Sequence, residues 1–358
     1  MNRLVIIGNG FDLAHGLPTR YSDFIEDYIL ESMSFFFDNR KYEDDLISIS
    51  FKQSVSYKDK PKFENIEQVF QFLADRTHFI QFTYKSIFFK ILKSKLTVMN
   101  WVDVENEYFE ELKRCKSGNK DEFNYDKIKK LNSDFKFIKE KLEIYLSKVI
   151  RSDFEKNKVN FSSLFCQPIL KEEVLLVKLK EDEHPKNIHL LNFNYTDTVE
   201  HYYKDCNNVV PTEINYIHGE LEYIDNPIIF GFGDEFDESY KEFEDKKNNL
   251  LFEHIKSFGY FKTQNYHNLI RFLESDDYQV YIIGHSCGLS DRTMLKEIFE
   301  NEKCKSIKIF YYSKTSFDND YVEKTMEISR HFEDKGLMRK KIVSFPLSKS
   351  LNHELFQK

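Results

Sequence analysis

Tryptophan occurs once in the 358 residues and proline only seven times. No repeat, low-complexity tract or coiled-coil heptad is present, which sets aside solenoid and fibrous architectures. The five cysteines, Cys115, Cys166, Cys206, Cys287 and Cys304, are far apart and include no CxxC pair. A structural zinc knuckle therefore has nothing to build on, and no metal site is expected. An odd, scattered set fits free thiols in a reducing cytosol. The N-terminus carries neither the basic region nor the long apolar stretch of a signal peptide. No apolar run approaches the roughly 18 residues that span a bilayer. A cytoplasmic protein without a membrane anchor is expected. Basic side chains number 52 against 60 acidic ones, a net charge of −8 that gives no general attraction to nucleic acid.

What is abundant is aromatic: 35 Phe and 21 Tyr. That load fills sizeable cores and argues against intrinsic disorder. The length exceeds a usual single core, so two domains, or one domain with a large insertion, are expected.

Leu4 to Ile7 is a short apolar run fit for a buried parallel strand, and Gly8-Asn9-Gly10 ends it. Two glycines so close permit positive φ and a close backbone approach to a ligand, and such turns at the carboxyl edge of a sheet bind nucleotides. Tyr21 to Phe51 carries apolar spacings of three and four, and its stripe of Phe24, Ile25, Tyr28 and Ile29 reads as helix. Further helical patterns cover 64–98, 101–114 and 123–152, with Pro61 a break and Lys116–Asp121 a polar turn. Strand-like runs return at Ile188–Phe193, Ile214–Ile217, Pro227–Phe230, Gln279–Ile283 and Lys305–Tyr311, with Lys341–Phe345 as a final candidate. Helices are expected over 235–258, 262–274, from Leu289 with Ser290 or Asp291 as N-cap, and over Tyr321–Glu333. The expected fold is α/β: a Rossmann-like, mostly parallel sheet flanked by helices, with a large helical insertion after the first strand. The core is expected from 1–20 and 186–358, and the insertion from 21–185.

Five places carry candidate chemistry. In GNGFDLAHG, Asn9 and Asp12 suit hydrogen bonds to hydroxyls or a base; the alternative is a tight βα connection with Asp12 as a local cap, and His15 reads as structural. Asn194 falls at the end of a strand, where an amide serves a ribose hydroxyl and a positioned water; Thr196 and Asp197 equally suggest a capping turn. His218, just past a strand and followed by Gly219, is a proton carrier by type, although a lone histidine is often a structural hydrogen-bonder. Gly231 and Gly233 offer close approach, while Asp234 or Glu235 binds ribose or caps a helix. Finally, Gly284-His285-Ser286-Cys287-Gly288 matches the GxSxG nucleophile elbow, with Asp318 or Asp320 and His331 or His353 in triad order. Only about seventy residues follow Ser286, a cramped remainder for that fold. The other reading makes Gly284, His285 and Ser286 a phosphate- or ribose-holding turn. Glu64 and Glu67 share a helical face and read as a solvated acidic pair.

Taken in order, GNGFDLAHGLPTRYSDF, LNFNYTDTVE, INYIHGEL, IIFGFGDE and VYIIGHSCGLSDRTMLKEIF resemble the AbiH family of bacterial phage abortive-infection proteins. The order is more distantly similar to the sirtuin-type fold of SIR2-like defence NADases. That resemblance implies NAD as substrate, with Asn194 and His218 as the catalytic pair. It implies that Gly8, Asn9 and Gly10, with Gly16-Leu17-Pro18 as a second step, and the Gly284-His285-Ser286 turn hold the dinucleotide; the residue chemistry alone adds Asp12, Gly231, Gly233 and Asp234 to the same expected site. Phe11-Asp12 departs from the small residue and serine of sirtuins, and the cysteine-based zinc module is absent. The expected activity is cleavage of the nicotinamide–ribose bond, with a phage-derived trigger and self-association as expected partners. The alternatives are a nucleotide- or phage-sensing binding module, a metal-dependent nuclease using Asp12, Asp234 and Glu235, and a serine hydrolase.

Overall fold

The structure is a computed structural model that describes residues 1–53, 60–96, 101–116, 122–151, 161–313, 315 and 318–351. His353, and the turn expected at 116–121 apart from Lys116, lie outside the described residues. The chain divides into two compact units, one of Met1–Leu17, Val149–Tyr240 and Ile255–Lys358, the other of Pro18–Lys148 and Lys241–His254. Relative to the expected limits, 149–185 joins the first unit and the short segment 241–254 joins the second.

The first unit is built on a six-stranded parallel sheet. In chain order its strands are Asn2–Ile7, Ile188–Asn192, Thr212–Tyr216, Tyr278–Ile283, Cys304–Tyr311 and Lys349–Ser350, here β1 to β6. Their spatial order is 3-2-1-4-5-6, every pairing parallel. β1, β2 and β4 are buried along their whole length, because helices cover both faces of the sheet. Alternation divides their side chains. Leu4, Ile6, Leu191, Val280 and Ile282 face the helices Asn265–Leu273 and Arg292–Glu300 through Leu269, Met294, Leu295 and Ile298. Val5, Ile7, Leu190, Tyr281 and Ile283 face Phe11, Phe165 and Tyr202. Each such Leu, Ile or Phe contributes roughly 1.5–3 kcal/mol by burial. This is a Rossmann-like α/β fold.

Buried charge at the sheet is paired. Arg3 donates to Phe165 O (2.8 Å) and Gln279 Oε1 (2.9 Å), Gln279 donates to Glu173 Oε2 (2.9 Å), and Lys308 pairs with Glu173. Stacking of the Arg3 guanidinium 4.0 Å over the Tyr281 ring completes this cluster.

The second unit is mostly helical. Its first helix, Tyr21–Asn39, buries the expected stripe of Phe24, Ile25, Tyr28 and Ile29. It also holds a three-stranded antiparallel sheet of Lys41–Glu43, Ile47–Phe51 and Ile80–Tyr84, where the spacings over 21–51 and 64–98 had suggested helix. Period-two alternation buries Ile47, Ile49 and Ile80 there. The returning segment 241–254 is held by Asn132 Nδ2, which donates to Leu250 O (2.9 Å) and Glu253 (2.8 Å).

Three expected elements differ. Pro227–Phe230 is a packed loop rather than a strand: Ile229 N–H donates to His218 O (2.8 Å). The expected helix over 235–258 is broken into Glu238–Asp245, a single turn at Asn249–Leu251 and Lys256–Gly259. Lys341–Phe345 forms only one bridge, Ile342 with Ile307, and the last strand is β6. Among the described residues, no helix is long and apolar enough to cross a membrane.

Candidate functional site

In a 3-2-1-4-5-6 sheet the strand order reverses between β1 and β4, and ligands of such sheets bind outside the carboxyl ends of the strands at that point. Here the turn after β1 and the turn after β4 are in direct backbone contact. Gly8 N–H donates to Ile283 O (3.0 Å), and Gly10 N–H donates to Gly284 O (2.8 Å). A Cβ on Gly8 would lie 2.5 Å from His285 Cα, and one on Gly10 would lie 2.7 Å from Gly284 Cα. The need for glycine is thus different from the expected one. Gly8 has φ −127 and Gly10 lies inside the helix Asn9–Ala14; what requires them is the neighbouring backbone. Positive φ belongs instead to Gly284 (φ 68) and Cys287 (φ 56).

Asn194 follows β2 and joins this contact: its Nδ2 donates to Gly8 O (3.1 Å), while its backbone N–H donates to Asn192 Oδ1 (3.1 Å). Thr196, two residues on, donates its hydroxyl to Asp12 Oδ2 (2.7 Å). Asp12 is 1% exposed, and its Oδ1 has no hydrogen-bond partner among the described residues. Burial pushes its carboxyl up to about 6, against the opposing effect of Thr196, Thr198 and Asn194. It caps nothing locally; it bridges the first helix to the 194–198 turn.

On the other side of the β1 turn stands a buried polar cluster centred on Asp291. Lys256 Nζ lies 2.8 Å from Asp291 Oδ1, His218 Nε2 lies 3.2 Å from the same oxygen, and His285 Nε2 lies 3.8 Å from Oδ2. Asp291 occupies the expected N-cap position of Arg292–Glu300, yet its side chain makes no capping bond. Lys256 is the reason: burial would raise the Asp291 carboxyl, but Lys256 and then His218 outweigh it and hold the group well below the carboxylate range. Burial, seconded by Lys256, lowers His218, so the imidazole is neutral. His285 accepts the Cys287 N–H at Nδ1 (3.0 Å), which places its proton on Nε2, facing Asp291; burial lowers this group to about 3. The Phe193 ring lies between the two imidazoles, 4.9 Å from His218 and 4.2 Å from His285. Tyr260 OH lies 3.1 Å from His218 Nε2.

The Gly231–Asp234 turn packs on the same hub, since a Cβ on Gly233 would lie 2.4 Å from Ser290 O. Asp234 accepts from Phe236 N (2.9 Å) and pairs with Arg292 at 3.3 Å. Along the rim, Asp12, Asn194, Gly8, His285, Asp291 and His218 follow one another, and Asp234 joins through Arg292, the chain neighbour of Asp291. Half-buried Asn9, Gly10, Tyr195, Gly284 and Ser286 border it.

Other candidates fall apart. The elbow sequence forms no triad among the described residues: His331 Nε2 bonds Cys287 O (2.7 Å), and Asp320 accepts from Tyr312 N (2.6 Å). Asp12, Asp234 and exposed Glu235 hold separate partners, and no group of three or more His, Cys, Asp or Glu fit for a metal occurs among the described residues. His15 is structural, bonded to Phe11 O (2.7 Å) and Tyr202 OH (2.6 Å). Glu64 and Glu67 are exposed.

Lys256 and Tyr260 escaped the sequence reading, and Asp291 was given a different role. A lysine within a polar-looking stretch has no periodic signal; the apolar company in Ile255-Lys256-Ser257-Phe258-Gly259-Tyr260-Phe261 was the available one.

No curated protein matches this chain. A family model does, over residues 4–313, a span that takes in every strand of the sheet but β6 and the whole rim just described. The chain belongs to the bacteriophage abortive infection AbiH family.

Proposed function

We propose that this protein is a bacterial anti-phage abortive-infection effector that hydrolyses the nicotinamide–ribose bond of NAD. The observation that carries the reading is the meeting of Asn194 with the β1 turn at the carboxyl edge of a 3-2-1-4-5-6 sheet, where dinucleotides bind in folds of this topology. The motif order, similar to that of SIR2-like defence NADases, supports the same substrate. Cleavage develops oxocarbenium-like charge on the ribose carbon, so a site needs a fixed ribose and a positioned water. Asn194 orients that water or a ribose hydroxyl, while the Gly8–Gly10, Gly231–Asp234 and Gly284–Ser286 turns receive the dinucleotide. His218, kept neutral, is the second polar side chain of the site. Incubating the purified chain with NAD and following nicotinamide tests this reading. Release is expected; a chain that neither releases nicotinamide nor binds NAD contradicts the reading.

A further inference from the structure

The residue that takes the proton in such a reaction follows from how the rim's polar atoms are committed. His218 Nε2 faces Asp291 Oδ1 at 3.2 Å and Tyr260 OH at 3.1 Å, and the Phe193 carbonyl engages the same ring. His285 uses Nδ1 for Cys287 N–H and turns Nε2–H toward Asp291. Asp291 is locked to Lys256 at 2.8 Å and stays ionised beside that cation. His218 Nε2, His285 Nδ1 and Asp291 Oδ1 are thus taken, and His285 Nε2–H, 3.8 Å from Asp291 Oδ2, carries a proton rather than a lone pair to receive one.

Asp12 differs. Its side chain is fully inside the protein, Oδ2 takes one hydrogen bond, from Thr196, and Oδ1 takes none among the described residues. It lies beside the Asn194 amide, which itself donates to Gly8 O in the β1 turn. We infer that Asp12 is the general base of the site and receives the proton of the attacking water. This rests on the reading of the protein as an NAD hydrolase. In the step, a water oxygen bonds to the ribose anomeric carbon as the carbon–nitrogen bond to nicotinamide breaks. The bonding pair leaves with the nicotinamide ring nitrogen, which becomes neutral and needs no acid. One water proton passes to the Asp12 carboxylate and then to solvent, so NAD and water give nicotinamide, ADP-ribose and a proton.

Four groups of the 194–198 turn face Asp12. Thr196, Thr198 and Asn194 favour its ionised form, and Asp197, the one charged group there that acts on it, disfavours that form. With a carboxyl poised at about 6, Asp12 is ionised at neutral pH yet basic enough to take a proton.

The test is nicotinamide release from NAD by the full chain between pH 4.5 and 8.5, for wild type, Asp12→Asn, Asp12→Glu and Thr196→Val. Wild-type kcat/KM is expected to fall about tenfold per pH unit below about 6, and Asp12→Asn to lose about 10²–10⁴-fold with that limb gone. Thr196→Val should move the limb to higher pH, because it removes a donor to the carboxylate; a merely structural bridge would lower activity without moving it. Should Asp12→Asn not fold, Asp12→Glu and Thr196→Val decide through the position of the limb. Wild-type release with Asp12→Asn unimpaired, or a limb unmoved by Thr196→Val, overturns the inference alone. No release by wild type at any pH overturns the NAD reading beneath it.

Discussion

Lys256 Nζ and Asp291 Oδ1 lie 2.8 Å apart with both side chains buried, the only charge pair of the rim that is closed to solvent on both sides among the described residues. Neither residue is free to lose its partner. Asp291→Asn or Lys256→Met alone is expected to destabilise the fold by about 3–5 kcal/mol, since each leaves a buried charge uncompensated. The double variant Lys256→Met with Asp291→Asn should be less destabilised than the sum of the two singles, read from urea unfolding midpoints. Additive losses would show that the two side chains do not depend on one another.

Three glycine substitutions separate close approach from backbone conformation. Gly16 has φ 77, and among the described residues nothing lies within 4 Å of where an added methyl group would stand, so Gly16→Ala should cost only about 1–2 kcal/mol. Gly284 combines φ 68 with a Cβ position 2.3 Å from Phe11 N, so Gly284→Ala should cost clearly more. Gly8→Ala has no conformational penalty of that kind but meets His285 Cα at 2.5 Å, and it too should exceed Gly16→Ala. Thermal melts of the three variants check the order; a Gly16→Ala loss as large as the others would contradict it.

Acid stability should show two opposing contributions. His285 is lowered from 6.5 to about 3, so its contribution is present above pH 6.5 and is lost as pH falls toward 3, at about 1.4 kcal/mol per pH unit. Asp12 is raised from 3.8 to about 6, so its contribution is present below 3.8 and is lost as pH rises through 6. His285→Gln should therefore flatten the loss of stability between pH 6.5 and 4, while Asp12→Asn should steepen it. Unfolding free energies at half-unit pH steps read both slopes, and slopes of the reverse sign would refute the burial argument.

Much of this was legible in the residues. β1, β2 and β4 stand out as short apolar runs because parallel strands buried on both faces carry little polar alternation, while β5 reads as a strand from Ile307, Ile309 and Phe310 despite Lys305 and Lys308. Asn194, His218 and the glycine turns after β1 and β4 lie at or just past strand ends, as read from the residues, whereas the Gly231–Gly233 turn follows a packed loop where a strand was expected. The antiparallel sheet of 41–84 did not stand out, since five-residue runs such as Ile47–Phe51 are too short to outweigh the helical spacings around them. Asp291 reads as a cap by local chemistry, and only the folded chain brings Lys256, thirty-five residues earlier, to claim its carboxylate. The glycines were found for a reason the backbone then replaced: the two turns touch one another.

The most direct measurement is nicotinamide release from NAD by the purified full chain, wild type beside Asn194→Ala. The account predicts release by wild type and a loss of about 10²–10⁴-fold in the variant, with the fold intact by circular dichroism. A wild-type chain that neither releases nicotinamide nor binds NAD, or an Asn194→Ala variant as active as wild type, would contradict it.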